Sequence, residues 1–194
     1  MFGLTPDELS EHFLDCAAGP ASFNVEATRR GFKVTSCDPI YRFRAQEIRT
    51  RINETLIANA AARHDEFVWR DIESPEHLGE VRMAAMQTFL EGFPAGLEHG
   101  RYTEGGLPDL SLCSSFLFTY SELLSTDFHI AAIEEMCRVA DEARVFPLLK
   151  SYGGPSPHLE PVMDSLQERG YRVEIRRVQY EFQRSGNELL SVIR

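Results

Sequence analysis

The sequence predicts an α/β fold in which a mostly parallel sheet ends in an antiparallel hairpin. Strand-like apolar runs alternate with helix-like amphipathic segments along most of the chain. Two acids, Asp15 and Asp38, each close an apolar run, and their separation of 23 positions suits one strand, helix and strand. Near the C-terminus, two strand-like runs enclose a Ser-Gly-Asn loop that favours a chain reversal.

Composition limits the classes of function. The 194 residues are 43% hydrophobic, which suits one compact domain, predicted over 1–194. The chain has 30 acidic against 20 basic residues, which argues against non-specific binding to nucleic acid. With no leader-like N-terminus and no membrane-length apolar run, we expect a cytoplasmic protein that does not bind membranes. The four cysteines include no C-x-x-C pair, so no metal site is expected.

The first elements form one strand-helix-strand unit. The Thr5-Pro6-Asp7-Glu8 sequence is typical of a helix start and predicts a short leading helix. Phe13 and Leu14 carry the first strand, residues 22–30 form the crossover helix, and residues 32–37 form the second strand.

Two longer helical patterns follow. One covers about 43–62, and the second begins at Ser74-Pro75-Glu76 and continues toward Gly92 and Pro94. Together they form a helical insertion at about 43–100. It lies either over the edge of the sheet where ligands of open α/β folds bind or in the ordinary outer layer of helices.

The remaining elements continue the alternation. A short strand is predicted at 101–103, and the later elements are a strand at 109–113, a helix at 128–140, a strand at 144–149 and a helix at 156–169. The runs 171–181 and 188–193 then form the hairpin.

The turn after the first strand reads Asp-Cys-Ala-Ala-Gly-Pro-Ala, and its small residues allow a ligand to approach the backbone closely. It resembles the first motif of class I S-adenosylmethionine-dependent methyltransferases. The turn keeps the central Gly19 but has Ala17 and Ala21 where that family usually has glycine. The C-terminal hairpin matches the same family. Because G-x-G-x-x-G is absent, a dehydrogenase is the weaker nucleotide-binding alternative.

The resemblance implies a small, bacterial-type member with a seven-stranded sheet, helices on both faces and S-adenosylmethionine as cofactor. The residues expected at the methionine part of the cofactor are Asp15, Ala17, Gly19, Pro20, Ala21 and Ser22. Asp38 would bind the ribose. Expected near the adenine are Pro39, Ile40 and Tyr41, together with Glu104, Gly105 or Leu107. Cys113 and Ser114 would border the sulfonium.

The expected reaction is methyl transfer to a small or medium-sized acceptor. Such a displacement depends on alignment and does not require a dedicated base. Candidate bases, none fixed by its spacing, are Tyr120, Glu122, His129 and His158. Five aromatic residues can form either an apolar acceptor site or core, namely Phe89, Phe93, Phe116, Phe118 and Tyr120. The alternative is a non-catalytic cofactor-binding or scaffolding protein, which the alanines at 17 and 21 favour. The sequence predicts no oligomeric state.

Overall fold

The computed structural model describes residues 1–55, 67–70, 72–103 and 110–194, with no side-chain description for 51–55. Within these residues, the strands are β1 (His12–Cys16), β2 (Lys33–Cys37), β3 (Tyr102–Thr103), β4 (Leu110–Ser114), β5 (Glu142–Phe146), β6 (Arg172–Arg177) and β7 (Glu188–Ile193). The helices are α1 (Phe23–Arg29), α2 (Ala45–Thr55), α3 (Pro75–Glu98), α4 (Thr126–Val139) and α5 (Leu159–Glu168).

All seven strands belong to one sheet with the order β3-β2-β1-β4-β5-β7-β6. The first five strands are parallel, and β7 runs antiparallel to both β5 and β6. The predicted seven-stranded, mostly parallel sheet with its antiparallel C-terminal hairpin is therefore confirmed. Because β1 lies between β2 and β4, the carboxyl ends of these three strands meet at the centre of one edge.

Helices cover both faces of the sheet, as predicted. Along β4, Leu110 and Leu112 pack with Ala27 of α1, whereas Cys113 packs with Ile133 of α4 and Val162 of α5. Alternate residues of a strand point to opposite faces, so α1 lies on one face and the α4–α5 pair on the other. Among the described residues, no helix combines the length and apolar character needed to cross a membrane.

Helix α3 does not end at Gly92 or Pro94, as the sequence suggested, but continues to Glu98. Its packing gives the reason for the glycines. A Cβ at Gly92 would lie 2.6 Å from Val25, and one at Gly96 would lie 2.3 Å from Tyr102. The glycines therefore allow close packing against α1 and β3 within the helical layer. The helix end predicted at Gly92 and Pro94 is wrong.

The boundaries of β5 and β6 also differ from the prediction. Strand β5 ends at Phe146, although Leu148 and Leu149 are buried and extend the apolar pattern beyond it. Strand β6 ends at Arg177, four residues before the predicted limit at 181. Buried residues here extend beyond the paired residues of the strand, because a loop packed on the core has the same apolar composition as a strand.

On the face of the sheet that α1 covers, the part around β5 and β7 is polar. On β5, the side chain of Arg144 is almost fully buried and donates to Glu142 at 2.8 Å and to the Phe2 carbonyl oxygen at 3.1 Å. Arg144 also forms a salt bridge with Glu8, and Ser191 of β7 donates to Glu142 at 2.6 Å. This network of ion pairs and hydrogen bonds holds the N-terminal residues of the chain against β5.

Candidate functional site

A cavity of about 510 Å³ lies at the carboxyl edge of β1 and β4. This volume falls within the range typical of sites for small molecules and cofactors. Its walls comprise Met1, Phe2, Gly3, Leu4, Asp15, Ala17, Ala18, Ala21, Ser22, Phe23, Glu26, Ala85 and Ser114. The position is the edge at which open α/β sheets bind their ligands.

Five of the residues expected at the cofactor line this cavity: Asp15, Ala17, Ala21, Ser22 and Ser114. Four belong to the end of β1 and the turn into α1, and the fifth ends β4. The register pairs Asp15 with Leu112 and Cys16 with Cys113, so the two strands end side by side. Adjacent parallel strands thus assemble residues that are almost 100 positions apart in the sequence.

Asp15 is the most strongly perturbed acid of the cavity. Its residue is 6% exposed, and its carboxylate accepts a 3.2 Å hydrogen bond from the Ser36 hydroxyl. Burial raises the pKa of Asp15 to about 7, the Ser36 hydrogen bond opposes the rise, and the charge of Asp38 adds to it. In the part of the chain that the structure describes, no salt bridge neutralises Asp15. A cationic ligand would supply the missing charge.

Asn24 orients the Ser36 hydroxyl that donates to Asp15. The sequence analysis did not predict Asn24 as a site residue. Its amide is fully buried and donates to the Ser36 hydroxyl at 3.1 Å and to the Arg101 carbonyl oxygen at 3.0 Å. The Arg101 guanidinium donates in turn to the Asn24 amide oxygen at 2.7 Å. Because Ser36 accepts from Asn24, its own proton points to Asp15. The sequence feature that could have indicated Asn24 is its place as a polar residue early in an otherwise apolar helix face.

Asp38 and Tyr41 hold the turn around Gly19. The two carboxylate oxygens of Asp38 accept from the Gly19 amide at 2.9 Å and from the Ile40 amide at 2.8 Å. The Tyr41 hydroxyl donates to the Gly19 carbonyl oxygen at 2.8 Å. Asp38 retains lone pairs for a further donor, since each carboxylate oxygen accepts two hydrogen bonds.

Tyr41 does not fit the expected contact with adenine. Its ring is 6% exposed and packs against Phe89, Phe93 and Tyr102, with the Tyr102 centroid 4.9 Å away. The ring therefore offers almost no surface to a base, and the expected role of Tyr41 is corrected to positioning the turn. Phe89 and Phe93 are core for the same reason, and so is the fully buried Phe118.

Cys113 is likewise core. It is 2% exposed, packs beneath α4, and burial raises the pKa of its thiol to about 12. The neighbouring Ser114 borders the cavity in its place. Pro20 is half-buried and Pro39 exposed, and both lie outside the cavity lining. The expected contacts at Glu104, Gly105 and Leu107 lie outside the described residues.

Both candidate histidine bases have hydrogen-bond partners within the fold at their ring nitrogens. The fully buried His129 places Nδ1 2.7 Å from the Ser125 carbonyl oxygen and Nε2 3.1 Å from that of Leu117. Burial lowers the pKa of His129, with a smaller contribution from the nearby His158. This structural role replaces the catalytic one expected for His129.

His158 is held in the same way. Its Nδ1 lies 2.8 Å from the Thr126 hydroxyl and its Nε2 2.9 Å from the Ser121 carbonyl oxygen. The half-buried His158 therefore has a partner in the fold at each ring nitrogen, and the catalytic role expected of it stays a prediction. Tyr120 and Glu122 are exposed at the same edge.

Three parts of the cavity wall were not foreseen: Met1–Leu4, Glu26 and Ala85. Glu26 lies on α1 one turn after the motif, and Ala85 brings α3 to the cavity. Met1–Leu4 reach it through tertiary contacts that no local pattern predicts. With Asp15, Glu26 gives the cavity two carboxylates, and none of the described lining residues is Lys or Arg.

Ala17 adopts the left-handed backbone conformation with φ +53°, as does Gly19 with φ +57°. An alanine there costs about 1–2 kcal/mol relative to the right-handed region. We expect Ala17→Gly to raise the free energy of unfolding by roughly 0.5 kcal/mol in urea titrations, after the greater entropy of the unfolded glycine chain is subtracted. Ala21→Gly, at an exposed position without positive φ, should lower it. A destabilising Ala17→Gly would contradict this account.

Comparisons with known proteins place this geometry in context. No protein-family profile matches the chain. An uncharacterized protein of Methanocaldococcus jannaschii is 29% identical over 207 aligned positions, which include 100% of the present chain and 90% of that protein. The comparisons give no support to a bacterial type.

Solved structures similar to the chain include methyltransferases with bound cofactor or its product. Magnesium protoporphyrin IX methyltransferase from Synechocystis with bound SAM is 15% identical over 95% of this chain and 70% of that chain, with a TM-score of 0.44. A glycopeptide N-methyltransferase complexed with S-adenosyl-L-homocysteine is 11% identical over 95% and 83%, with a TM-score of 0.44. A bacterial methyltransferase domain is 10% identical over 97% and 93%, with a TM-score of 0.49. Sequence identities and TM-scores this low do not identify a methyl acceptor for the present chain.

Proposed function

We propose that the chain binds S-adenosylmethionine in the 510 Å³ cavity and transfers its methyl group to a small or medium-sized acceptor. The observation that carries the proposal is the lining of the cavity: two carboxylates, Asp15 and Glu26, with no Lys or Arg among the described lining residues. S-adenosylmethionine carries an ammonium and a sulfonium against a single carboxylate, and its net positive charge favours such a site. A dinucleotide carries a pyrophosphate, which requires donors or positive charge at this edge.

The methionine, ribose and adenine parts of the cofactor each have candidate contacts among the described residues. In this proposal the buried Asp15 carboxylate binds the ammonium, and the backbone from Ala17 to Ser22 follows the methionine part. Asp38, already fixed by the Gly19 amide, accepts from the ribose hydroxyls through its remaining lone pairs. Pro39 and Ile40 take over the adenine contact that the buried Tyr41 cannot make. Ser114 stands closest to the reacting methyl group.

Calorimetric titration with S-adenosylmethionine, S-adenosylhomocysteine and NADH tests the proposal. We expect wild type to bind the first two and not NADH. Ala21 is exposed and lines the cavity, so Ala21→Leu should fill space and weaken both affinities at least tenfold. Ala131→Leu, at an exposed position of α4, is the matched control and should leave both affinities unchanged. A preference for NADH, or no binding, would refute the cofactor assignment.

The alternative is a non-catalytic cofactor-binding or scaffolding protein. It is favoured by the commitment of both candidate histidines to backbone and hydroxyl oxygens. Cofactor binding without release of S-adenosylhomocysteine in the presence of any acceptor in a broad panel would support this alternative. Methyl transfer to one acceptor would exclude it.

A further inference from the structure

Aromatic side chains gather beyond the carboxyl ends of β4 and β5, on the connecting segments and on the first turn of α4. Phe116 lies 6.1 Å from Tyr120 and 6.4 Å from Phe128 between ring centroids. Tyr120 and Phe128 are 45% and 44% exposed, and Tyr152, on the loop after β5, is 57% exposed. We call these four residues the aromatic shelf. Such a grouping of exposed aromatic rings is typical of a binding surface.

The shelf begins where the cofactor cavity ends. Ser114 lines the cavity, and Phe116 follows after Ser115, whose left-handed φ of +52° turns the chain. The Ser115 amide donates to the Phe146 carbonyl oxygen at 2.7 Å, which fixes this turn against β5. The Ser151 amide donates to the Thr119 carbonyl oxygen at 2.9 Å and ties the Tyr152 loop to the shelf. A molecule on the shelf would therefore lie beside the cofactor.

The charge of this region favours a cation. Residues 114–132 include Glu122 and Asp127 but no Lys or Arg, and the loop that carries Tyr152 adds Lys150, so acids outnumber basic residues here by two to one. Both acids are exposed and flank Tyr120 and Phe128 in the sequence. Aromatic faces attract cations through their quadrupole, and nearby carboxylates add to that attraction. An anionic acceptor, such as a phosphate ester, would be repelled.

The histidines at this edge restrict the chemistry of the acceptor. Every ring nitrogen of His129 and His158 lies within 3.1 Å of a backbone or hydroxyl oxygen of the fold. Removing a proton from an acceptor through either histidine would require one of these contacts to break, which leaves exposed carboxylates such as Glu122 as the bases of this edge. A nucleophile that carries no proton on its attacking atom avoids that requirement.

From this arrangement, and resting on the proposed function, we infer that the acceptor is an aromatic heterocycle with a pyridine-type nitrogen, held on the aromatic shelf. Its nitrogen lone pair forms the new bond to the methyl carbon. The bond from that carbon to sulfur breaks, and its electron pair stays on sulfur, giving neutral S-adenosylhomocysteine. The positive charge passes to the acceptor nitrogen without loss of a proton. The shelf and its two acids then stabilise the N-methyl cation.

A pair of probes with similar shape and opposite charge tests the recognition step without cofactor. We expect N-methylquinolinium to bind the protein at least tenfold more tightly than naphthalene-2-sulfonate in ligand-observed NMR titrations. Tyr120→Ala and Phe128→Ala should each weaken N-methylquinolinium at least fivefold and leave the S-adenosylhomocysteine affinity unchanged. Ile175→Ala, which truncates a residue 43% exposed on β6, is the control and should alter neither. Equal affinity for the two probes, or no effect of the shelf variants, would overturn the inference.

Methyl transfer is then measured on matched sets of pyridine-type heterocycles and phenols. Product from the nitrogen compounds, reduced in the two shelf variants, is the expected result. Product from phenols alone, or from no set, would overturn the proposed acceptor class. Binding of N-methylquinolinium without any binding of S-adenosylmethionine would refute the proposed function and retain the shelf as a site for cationic aromatic molecules.

Discussion

Replacing Asp15 by asparagine is expected to abolish most cofactor binding and, at the same time, to stabilise the protein above neutral pH. The carboxylate is buried in the cavity and is the group that binds the ligand ammonium in our proposal. Loss of a charged hydrogen bond in such a setting costs about 3 kcal/mol, or roughly a hundredfold in affinity. Calorimetric titration of the variant with S-adenosylmethionine and S-adenosylhomocysteine measures this loss.

The stability effect follows from the pKa of Asp15. Burial raises it from the ordinary value of 3.8 to about 7, so the native state holds this proton where the unfolded chain has lost it. Stability therefore falls as pH rises from about 4 through about 7, by an amount on the order of 4 kcal/mol. Asparagine does not titrate, but its buried amide lacks a second partner and costs about 2 kcal/mol. The net gain at pH 8 is then about 2 kcal/mol.

Chemical denaturation at several pH values distinguishes this account from a general packing effect. We expect Asp15→Asn to be more stable than wild type at pH 8 and less stable at pH 4.5. Asp164→Asn removes an exposed acid from α5 and serves as the control, with little change at either pH. If Asp15→Asn were destabilising by the same amount at both pH values, a perturbed carboxyl at position 15 would be excluded. Retained cofactor affinity would instead exclude Asp15 as the ligand of the ammonium.

The fold and the centre of the site were accessible from sequence because both depend on local patterns. The spacing of Asp15 and Asp38 fixed one strand-helix-strand step, and small turn residues marked where a ligand approaches the backbone. Tyr41 shows the limit of this reasoning. Its position after the second strand suits a base contact, yet the aromatic residues that enclose it come from α3 and β3, about 50 and 60 positions later. Whether an aromatic side chain faces a ligand or the core depends on such tertiary neighbours.

Met1–Leu4 illustrate a second limit. Nothing in their composition indicates a cavity wall, because their position depends on Arg144, which lies about 140 residues further along the chain. A basic residue in the middle of an apolar strand is unusual, since buried charges require partners. That signal suggests an ion network at β5. It does not reveal that the partners are Glu8 and the Phe2 carbonyl.

Arg144→Met is expected to be the most destabilising of these substitutions, by about 3 kcal/mol, because it leaves Glu8 without its salt bridge and Glu142 with Arg176 alone. Burial alone would raise the pKa of each acid. For Glu8 the hydrogen bonds from Thr5 and Arg144 outweigh burial, and for Glu142 those from Arg144 and Ser191 do, so both pKa values are lowered. Their stabilisation is therefore present above about pH 4.5 and lost as pH falls below it. The cost of Arg144→Met should shrink correspondingly in acid.

Urea denaturation at pH 7 and pH 3.5 measures this difference. Arg138→Met is the matched control, because Arg138 pairs with Glu135 on an exposed helix face and its loss should change the stability little at either pH. Arg144→Met should also weaken S-adenosylhomocysteine binding about tenfold at pH 7, since it releases the Phe2 carbonyl and with it the Met1–Leu4 wall of the cavity. An unchanged affinity in a folded Arg144→Met variant would mean that this wall encloses the cavity without contributing to cofactor binding.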